Sequence, residues 1–131
     1  QDSKKMHNFK KLNIWILSME LAKDIYEITR TFPKEEMYGL ISQMRRCSVS
    51  IPSNIAEATS RNSNKEVAHF LDFSIGSIFE LETQLLISKE LNFIEERESN
   101  IIENKIIELQ KMIFGFRKNI IYQSVSKNLD S

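Results

Sequence analysis

Apolar residues recur at intervals of three and four along almost the whole chain, and this spacing restricts the fold more than any other feature. The first row comprises Ile14, Leu17, Leu21, Ile25, Ile28 and Phe32. The last row, which repeats almost as heptads, comprises Ile102, Ile106, Leu109, Ile113, Phe116 and Ile120. Residues three and four apart share one face of an α-helix, so each row predicts an amphipathic helix with one buried face.

Two more segments of this kind lie between them, and short signals mark where the helices begin and end. Pro33 ends the first helix, because proline disfavours helical geometry in the residue before it. Pro33 also begins a second helix, whose interior Pro52 is expected to bend the helix without ending it. Ser63 and Glu66 form a capping box before a third helix, and Asn92 is expected to follow its end in left-handed geometry. The predicted helices have the approximate bounds 12–31, 33–60 and 64–91, and the fourth begins at Glu95 or Ser99 and ends at Tyr122.

The composition agrees with a few long helices, which predicts an all-α protein. The chain holds only 3 Gly and 2 Pro, and no segment alternates like a strand. Four long helices joined by short loops most simply form an up-down-up-down four-helix bundle. The predicted organisation is an N-terminal extension at 1–10, a bundle domain at 11–122 and a polar C-terminal tail at 123–131. Within the third helix, Gly76 is expected to allow the close approach of another helix, since glycine otherwise weakens a helix.

Charge and cysteine content limit the possible partners and compartment. The formal net charge is zero, so no overall basic surplus indicates nucleic-acid binding. Residues 1–65 nevertheless hold 11 Lys and Arg against 7 Asp and Glu, whereas residues 66–131 hold 7 against 11. The single cysteine, Cys47, excludes an intramolecular disulfide and agrees with a cytoplasmic protein. No apolar run approaches the ~20 residues of a membrane span, so no membrane partner is expected.

A polar stripe runs along the second helix at helical spacing. Its members are Gln43, Arg46, Ser50, Asn54, Glu57 and Arg61. Such a stripe is usually a solvated face. The alternative is a polar interface between subunits with satisfied hydrogen bonds, for which Gln43, Ser50, Asn54 and Glu57 are the candidates.

Several short motifs together carry a family resemblance that covers about residues 9–118. They are Leu12-Asn13-Ile14-Trp15, the run from Phe32 to Leu40, Gln43-Met44-Arg45-Arg46, the run from Ser50 to Glu57, Phe70-Leu71, and Gly76-Ser77 with Glu80-Leu81-Glu82. This set resembles the four-helix-bundle proteins encoded in intervening sequences of bacterial 23S rRNA genes, the S23 ribosomal protein family. Ala58 departs from the family's usual glycine, and His69 and Ile75 stand where basic residues are common.

The resemblance implies a four-helix bundle whose relatives form five-fold rings. It also implies a relation to the accessory variability determinant of diversity-generating retroelements, which binds a reverse transcriptase and nucleic acid. A homo-oligomer, with a pentamer favoured, is therefore expected. RNA or DNA and a reverse transcriptase are the further partners that the resemblance implies.

Candidate contacts with nucleic acid come from the basic N-terminal half of the chain. Arg45 and Arg46 are the first candidates and Arg61 and Lys65 the second, because arginine and lysine bind phosphate oxygens. The competing interpretation is that these arginines pair with carboxylates of the same chain or of another subunit, at Glu57, Glu80 or Glu82. Phosphate contacts alone predict binding that is nearly independent of sequence and weakens steeply with salt.

An enzyme is the less favoured class. The Glu66-x-x-His69 spacing occurs in di-iron bundles, but those sites need two such pairs and two more carboxylates. The only other histidine is His7, and no catalytic constellation is present, so no metal or cofactor is expected. The sequence therefore predicts a non-enzymatic, oligomeric helical scaffold or an accessory protein that binds nucleic acid or protein. A purely structural oligomer without a ligand and a small hydrolase or metal enzyme are the alternatives.

Overall fold

A computed structural model of the protein describes residues 8–130, with side chains described as far as Gln123. Four α-helices are present: α1 at Asn13–Thr29, α2 at Ser42–Thr59, α3 at Asn64–Glu90 and α4 at Glu96–Asp130. A 3-10 turn at Phe9–Lys11 precedes α1, and a 3-10 turn at Lys34–Glu36 followed by a π-helical turn at Met37–Ile41 precedes α2. Residues 8–130 contain no strand, so the predicted all-α class is confirmed.

Successive helices run antiparallel, because residue numbers rise along one helix as they fall along its neighbour. The contacts that show this are Met44–Ser88 and Ile51–Ser74 between α2 and α3, and Asp72–Arg117 and Glu82–Gln110 between α3 and α4, while Asp24–Lys105 places α1 beside α4. The predicted up-down-up-down four-helix bundle is therefore confirmed. The predicted tail, 123–131, begins inside α4, whose backbone helix continues to Asp130 rather than ending at Tyr122. No Gly or Pro after Gly115 interrupts the helix.

The core consists of the apolar rows that the sequence indicated. The largest fully buried side chains are Leu21, Ile25, Met44, Ile51, Ile55, Leu71, Ile78, Leu81, Leu85, Ile106, Leu109 and Ile113. Burial of each such side chain contributes about 1.5–3 kcal/mol relative to exposure, which makes these rows the main source of stability. Leu17 belongs to the first row but is only partly buried.

The ends of α3 follow the expected capping chemistry. The Ser63 hydroxyl accepts the Glu66 N–H at 3.2 Å. At the other end, Asn92 has a φ of 62° and is the C′ residue. The N–H groups of Asn92 and Phe93 donate to the carbonyls of Lys89 and Ser88, both at 2.9 Å. These two bonds form a Schellman motif, which satisfies carbonyls that the helix leaves unpaired.

The beginning of the second helix and the role of Gly76 differ from the predictions. The α2 helix begins at Ser42 rather than Pro33, because Gly39 has non-helical dihedral angles of φ −110° and ψ −114°. Pro52 lies inside α2 and does not end it, as predicted. A Cβ added to Gly76 would meet no atom within 4 Å, so this glycine does not serve close packing within the chain.

Candidate subunit and nucleic-acid interfaces

Small polar side chains join α2 to α3 along their line of contact. The Ser50 hydroxyl lies 2.6 Å from the Cys47 carbonyl oxygen and 2.7 Å from the Ser77 hydroxyl. Since a carbonyl only accepts, Ser50 donates its single proton to Cys47 and accepts the proton of Ser77. The Cys47 thiol donates to the Ser77 carbonyl at 2.9 Å, and the buried Ser74 hydroxyl donates to the Ile51 carbonyl at 2.9 Å. These bonds hold the two backbones together.

The environment of Cys47 makes it an unreactive thiol. Its side chain is buried, and burial together with the nearby Glu80 carboxylate raises its pKa to about 12. The neutral thiol therefore persists at ordinary pH and serves as a hydrogen-bond donor.

The remaining members of the predicted polar subunit interface lie beside this contact. Gln43 is exposed and lines an open cleft of ≈ 420 Å³ with Arg46 and Glu80. Asn54 donates to the Ser50 carbonyl at 2.8 Å, and Glu57 pairs with Arg61 within the same helical turn. Three of the four candidates thus find partners inside the chain, and their place in a subunit interface stays a prediction.

Arg45 is turned towards the end of α1. Its Nε donates to the Thr29 hydroxyl at 2.9 Å, and its Nη2 donates to the Tyr26 carbonyl at 3.3 Å. The guanidinium also lies 4.8 Å from the centre of the Tyr26 ring. A cation at the C-terminal end of α1 is favoured by the helix dipole, so Arg45 serves as a clamp between α1 and α2.

The four basic candidates do not form one cluster. Arg46 follows Arg45 by about 100° around the helix, so it lines the cleft beside α3 instead of contacting α1. Arg61 and Lys65 lie at the α2–α3 turn, roughly 20 Å further along the axis of α2. Arg61 and Lys65 therefore lie at the same end of the bundle, apart from Arg45 and Arg46, but Arg61 covers the Phe70 ring whereas Lys65 lines a pocket next to α4.

An aromatic cluster of His69, Phe70 and Phe73 lies next to Arg61, and the sequence pattern did not indicate it. The ring centres of His69 and Phe73 are 4.7 Å apart, and those of Phe70 and Phe73 are 5.7 Å apart. The Arg61 guanidinium lies 4.3 Å from the centre of the Phe70 ring. The available signal was that Phe73 follows the buried Leu71 by two residues, or about 200° around a helix, which places it on the opposite face.

A second exposed surface lies on the outer side of α3 and α4. It consists of Phe79, Leu86, Phe114 and Ile121, and we call it the outer α3–α4 face. Phe79 and Phe114 are 48% and 47% exposed, and their ring centres are 6.3 Å apart. Large apolar side chains rarely remain together in water unless a partner covers them.

Acidic and metal-ligating groups are scattered rather than clustered. Among the described residues, no three His, Cys, Asp or Glu side chains lie close enough to hold a metal ion. Glu66 and His69 share a face near the start of α3, whereas His7 lies outside the described residues. No helix in the described part of the chain is both long and apolar enough to cross a membrane.

The fold and these surfaces define a small four-helix-bundle protein with exposed apolar and aromatic patches. The chain belongs to the 23S rRNA-intervening sequence protein family, whose model matches residues 10–115. A solved structure from Bacteroides thetaiotaomicron VPI-5482, a protein of unknown function from the S23 ribosomal protein family, has the same fold with a TM-score of 0.74. It is 23% identical and aligns over 80% of this chain and 95% of its own length. No curated protein matches the chain.

Proposed function

We propose that the protein is a non-enzymatic helical scaffold that self-associates through its outer α3–α4 face. The observation that carries the proposal is the contact between Phe79 and Phe114, two rings that each leave about half of their surface in water. A second copy of the chain would cover this surface and remove the cost of exposing it.

The charge distribution supports association between unlike faces. The basic excess of residues 1–65 equals the acidic excess of residues 66–131, so a head-to-tail contact brings opposite charges together. A head-to-tail contact that closes on itself forms a ring. The resemblance favours a ring of five subunits, and α1 carries exposed apolar residues at Ile16 and Met19 that suit the complementary face.

Light scattering coupled to size-exclusion chromatography tests the proposal at micromolar concentration. The expected mass is roughly five times that of one chain. The double substitution Phe79→Ser and Phe114→Ser should lower this mass, whereas Leu91→Ser, which alters an exposed residue at the end of α3, should not. Circular dichroism would verify that each variant keeps its helices. A monomeric parent protein would overturn the proposal.

A second candidate function is contact with RNA or DNA, and it is favoured by the position of Lys65 and Arg61 at one end of the bundle. Several copies in a ring would repeat this modest basic group and raise its avidity. The informative variants are Lys65→Gln and Arg46→Gln, since Arg45 contributes to the packing of α1 against α2. Anisotropy of a labelled RNA, measured at several salt concentrations, should show weaker binding for a residue that contacts phosphate.

Two narrower parts of the proposal rest on the resemblance and on the cysteine content, respectively. A reverse transcriptase is the protein partner that the resemblance suggests, and its binding would be tested by co-purification with the purified enzyme. A cytoplasmic location is proposed from the single cysteine.

A further inference from the structure

The aromatic cluster at the start of α3 has the geometry of a stacking surface. His69 and Phe73 are one helical turn apart and meet edge to face at 4.7 Å, with an interplanar angle of 69°. The Phe73 side chain is 48% exposed, and His69 is also exposed. Phe70 lies behind them, covered by the Arg61 guanidinium at 4.3 Å. The cluster therefore presents one accessible aromatic face with a cation at its edge.

The charges around this cluster nearly cancel. Arg61 is paired with Glu57, and Arg117 is paired with Asp72 at 3.0 Å. Lys65 and Glu66 add one charge of each sign beside the cluster. Binding of a nucleic acid through phosphates alone requires several unpaired cations. A single subunit offers few such cations at this end, so the electrostatic attraction of one copy to a duplex is weak here.

The cluster can instead contact the flat face of a base. Stacking on an aromatic side chain contributes to binding independently of phosphate contacts and accepts every base, because each base has a π-face. A base inside a duplex has both faces covered by its neighbours. The aromatic cluster therefore selects nucleotides that are unpaired.

We propose that His69, Phe73 and Arg61 form a binding site for single-stranded RNA or DNA, in which a base stacks on Phe73. Lys65 lies four residues before His69 on the same face of α3 and lines a pocket with it, so in the proposed site it contacts the adjacent phosphate. The inference rests on the nucleic-acid part of the proposed function and specifies its ligand. It changes the expected behaviour from phosphate-driven binding to binding that depends on stacking.

The proposed site adjoins the surface assigned to self-association at Ile121, which lines one pocket with Lys65 and His69, but the aromatic rings of the two surfaces lie on different sides of α3. Phe73 and Phe79 are six residues apart, which turns them about 120° from each other around α3. Phe73 contacts the α2 side of the bundle through Phe70 and Arg61, whereas Phe79 contacts Phe114 on α4. The Phe73 ring and the Phe79–Phe114 pair are therefore distinct contacts, each of which can be altered by substitution without changing the other.

Fluorescence anisotropy with a labelled single-stranded RNA of about a dozen nucleotides tests the site, since single-strand sites span roughly 4–16 nucleotides. The same sequence in a duplex is the comparison ligand. The parent protein should bind the single strand more tightly. Phe73→Leu, which keeps an apolar side chain but removes the ring, should weaken that binding roughly tenfold with little change in salt dependence. Tyr38→Leu is the matched control, because Tyr38 is a 93% exposed ring at the other end of α2.

The possible outcomes separate this site from the broader proposal. Equal binding of single strand and duplex, or unchanged binding by Phe73→Leu, overturns the stacking site while leaving phosphate contacts elsewhere in place. A fall in oligomeric mass for Phe73→Leu assigns the cluster to a subunit contact and also overturns it. No binding of either RNA at low salt overturns both the site and the nucleic-acid function. Self-association would then be judged by light scattering alone.

Discussion

Arg45 and Arg46 are neighbours in sequence but have different surroundings. Arg45 donates to Thr29 and Tyr26, whereas Arg46 lines an open cleft. Arg45→Gln should lower the free energy of unfolding by about 1–2 kcal/mol, because it removes charge-assisted hydrogen bonds between α1 and α2. Arg46→Gln should change it by less than about 0.5 kcal/mol. Urea denaturation of both variants measures this difference. Equal losses in the free energy of unfolding would contradict the role of Arg45 in holding α1 against α2.

Cys47 illustrates how burial controls one side chain. Its pKa of about 12 leaves roughly a thousandfold less thiolate than the ordinary value of 9.0. The folded protein should therefore react with a disulfide reagent at pH 8 at least a hundredfold more slowly than the urea-unfolded chain. Absorbance of the released thiol measures both rates. Equal rates would show that the thiol is accessible.

The Cys47 thiol also makes the stability of the protein depend on pH in the alkaline range. Its folded pKa lies above its unfolded value of 9.0, so the stabilisation is complete below pH 9 and is lost as pH rises towards about 12. Cys47→Ala removes this contribution. The pH dependence of unfolding in Cys47→Ala should accordingly be shallower above pH 9 than in the parent protein.

At the scale of the elements, two glycines have opposite roles. At Gly39, a Cβ would meet Glu36 Oε1 at 2.9 Å, and that oxygen accepts the Leu40 N–H. Gly39→Ala should therefore destabilise the turn before α2, by about 1 kcal/mol. Gly76→Ala should stabilise the protein by about 0.5–1 kcal/mol, because the position is helical and open. The melting temperatures of the two variants, measured by thermal unfolding, test this. Shifts of the same sign in Gly39→Ala and Gly76→Ala would contradict the opposite roles of the two glycines.

Helices, caps and core could be predicted because they depend on local signals. The spacing of Ile14, Leu21 and Ile25 and the cap at Ser63 act within a few residues, and the structure confirms them. The π-helical turn before α2 could not be predicted, since it depends on the backbone of Gly39 and the side chain of Glu36. The stacking surface was also missed, because the exposure of Phe73 is decided by which face of α3 the other helices cover.

The candidate site was harder to predict than the fold because partner choice is a tertiary property. The polar stripe on α2 groups Ser50, Asn54 and Glu57 by spacing, but spacing cannot distinguish a partner in α3 from one in another subunit. Likewise, the basic residues Arg45 and Arg61 are both paired inside the chain. Charge counts along a sequence do not record which charges are already neutralised.

At the scale of the whole molecule, α4 is connected to both of its neighbours by charged groups. Lys105 donates to Asp24 of α1 at 2.7 Å and lies 3.6 Å from Glu20. Arg117 binds Asp72 of α3 on the other side. Lys105 and Arg117 thus place positive charges where α4 contacts α1 and α3. Because residues 66–131 have an excess of acidic groups, these two cations reduce the repulsion among the negative charges of that half.

The Lys105 contact gives a test of how α4 is held. The hydrogen bond to Asp24 raises the pKa of Lys105 above 10.5. Lys105→Gln should lower the free energy of unfolding by about 0.5–1 kcal/mol at pH 7, whereas Lys111→Gln, at an exposed position of the same helix, should have little effect. Because the folded pKa is raised, the difference between the parent and Lys105→Gln should persist up to about pH 10 and shrink in stronger alkali. Urea denaturation across this pH range measures it, and an equal loss in Lys111→Gln would show that the charge on α4, rather than the contact with α1, is what matters.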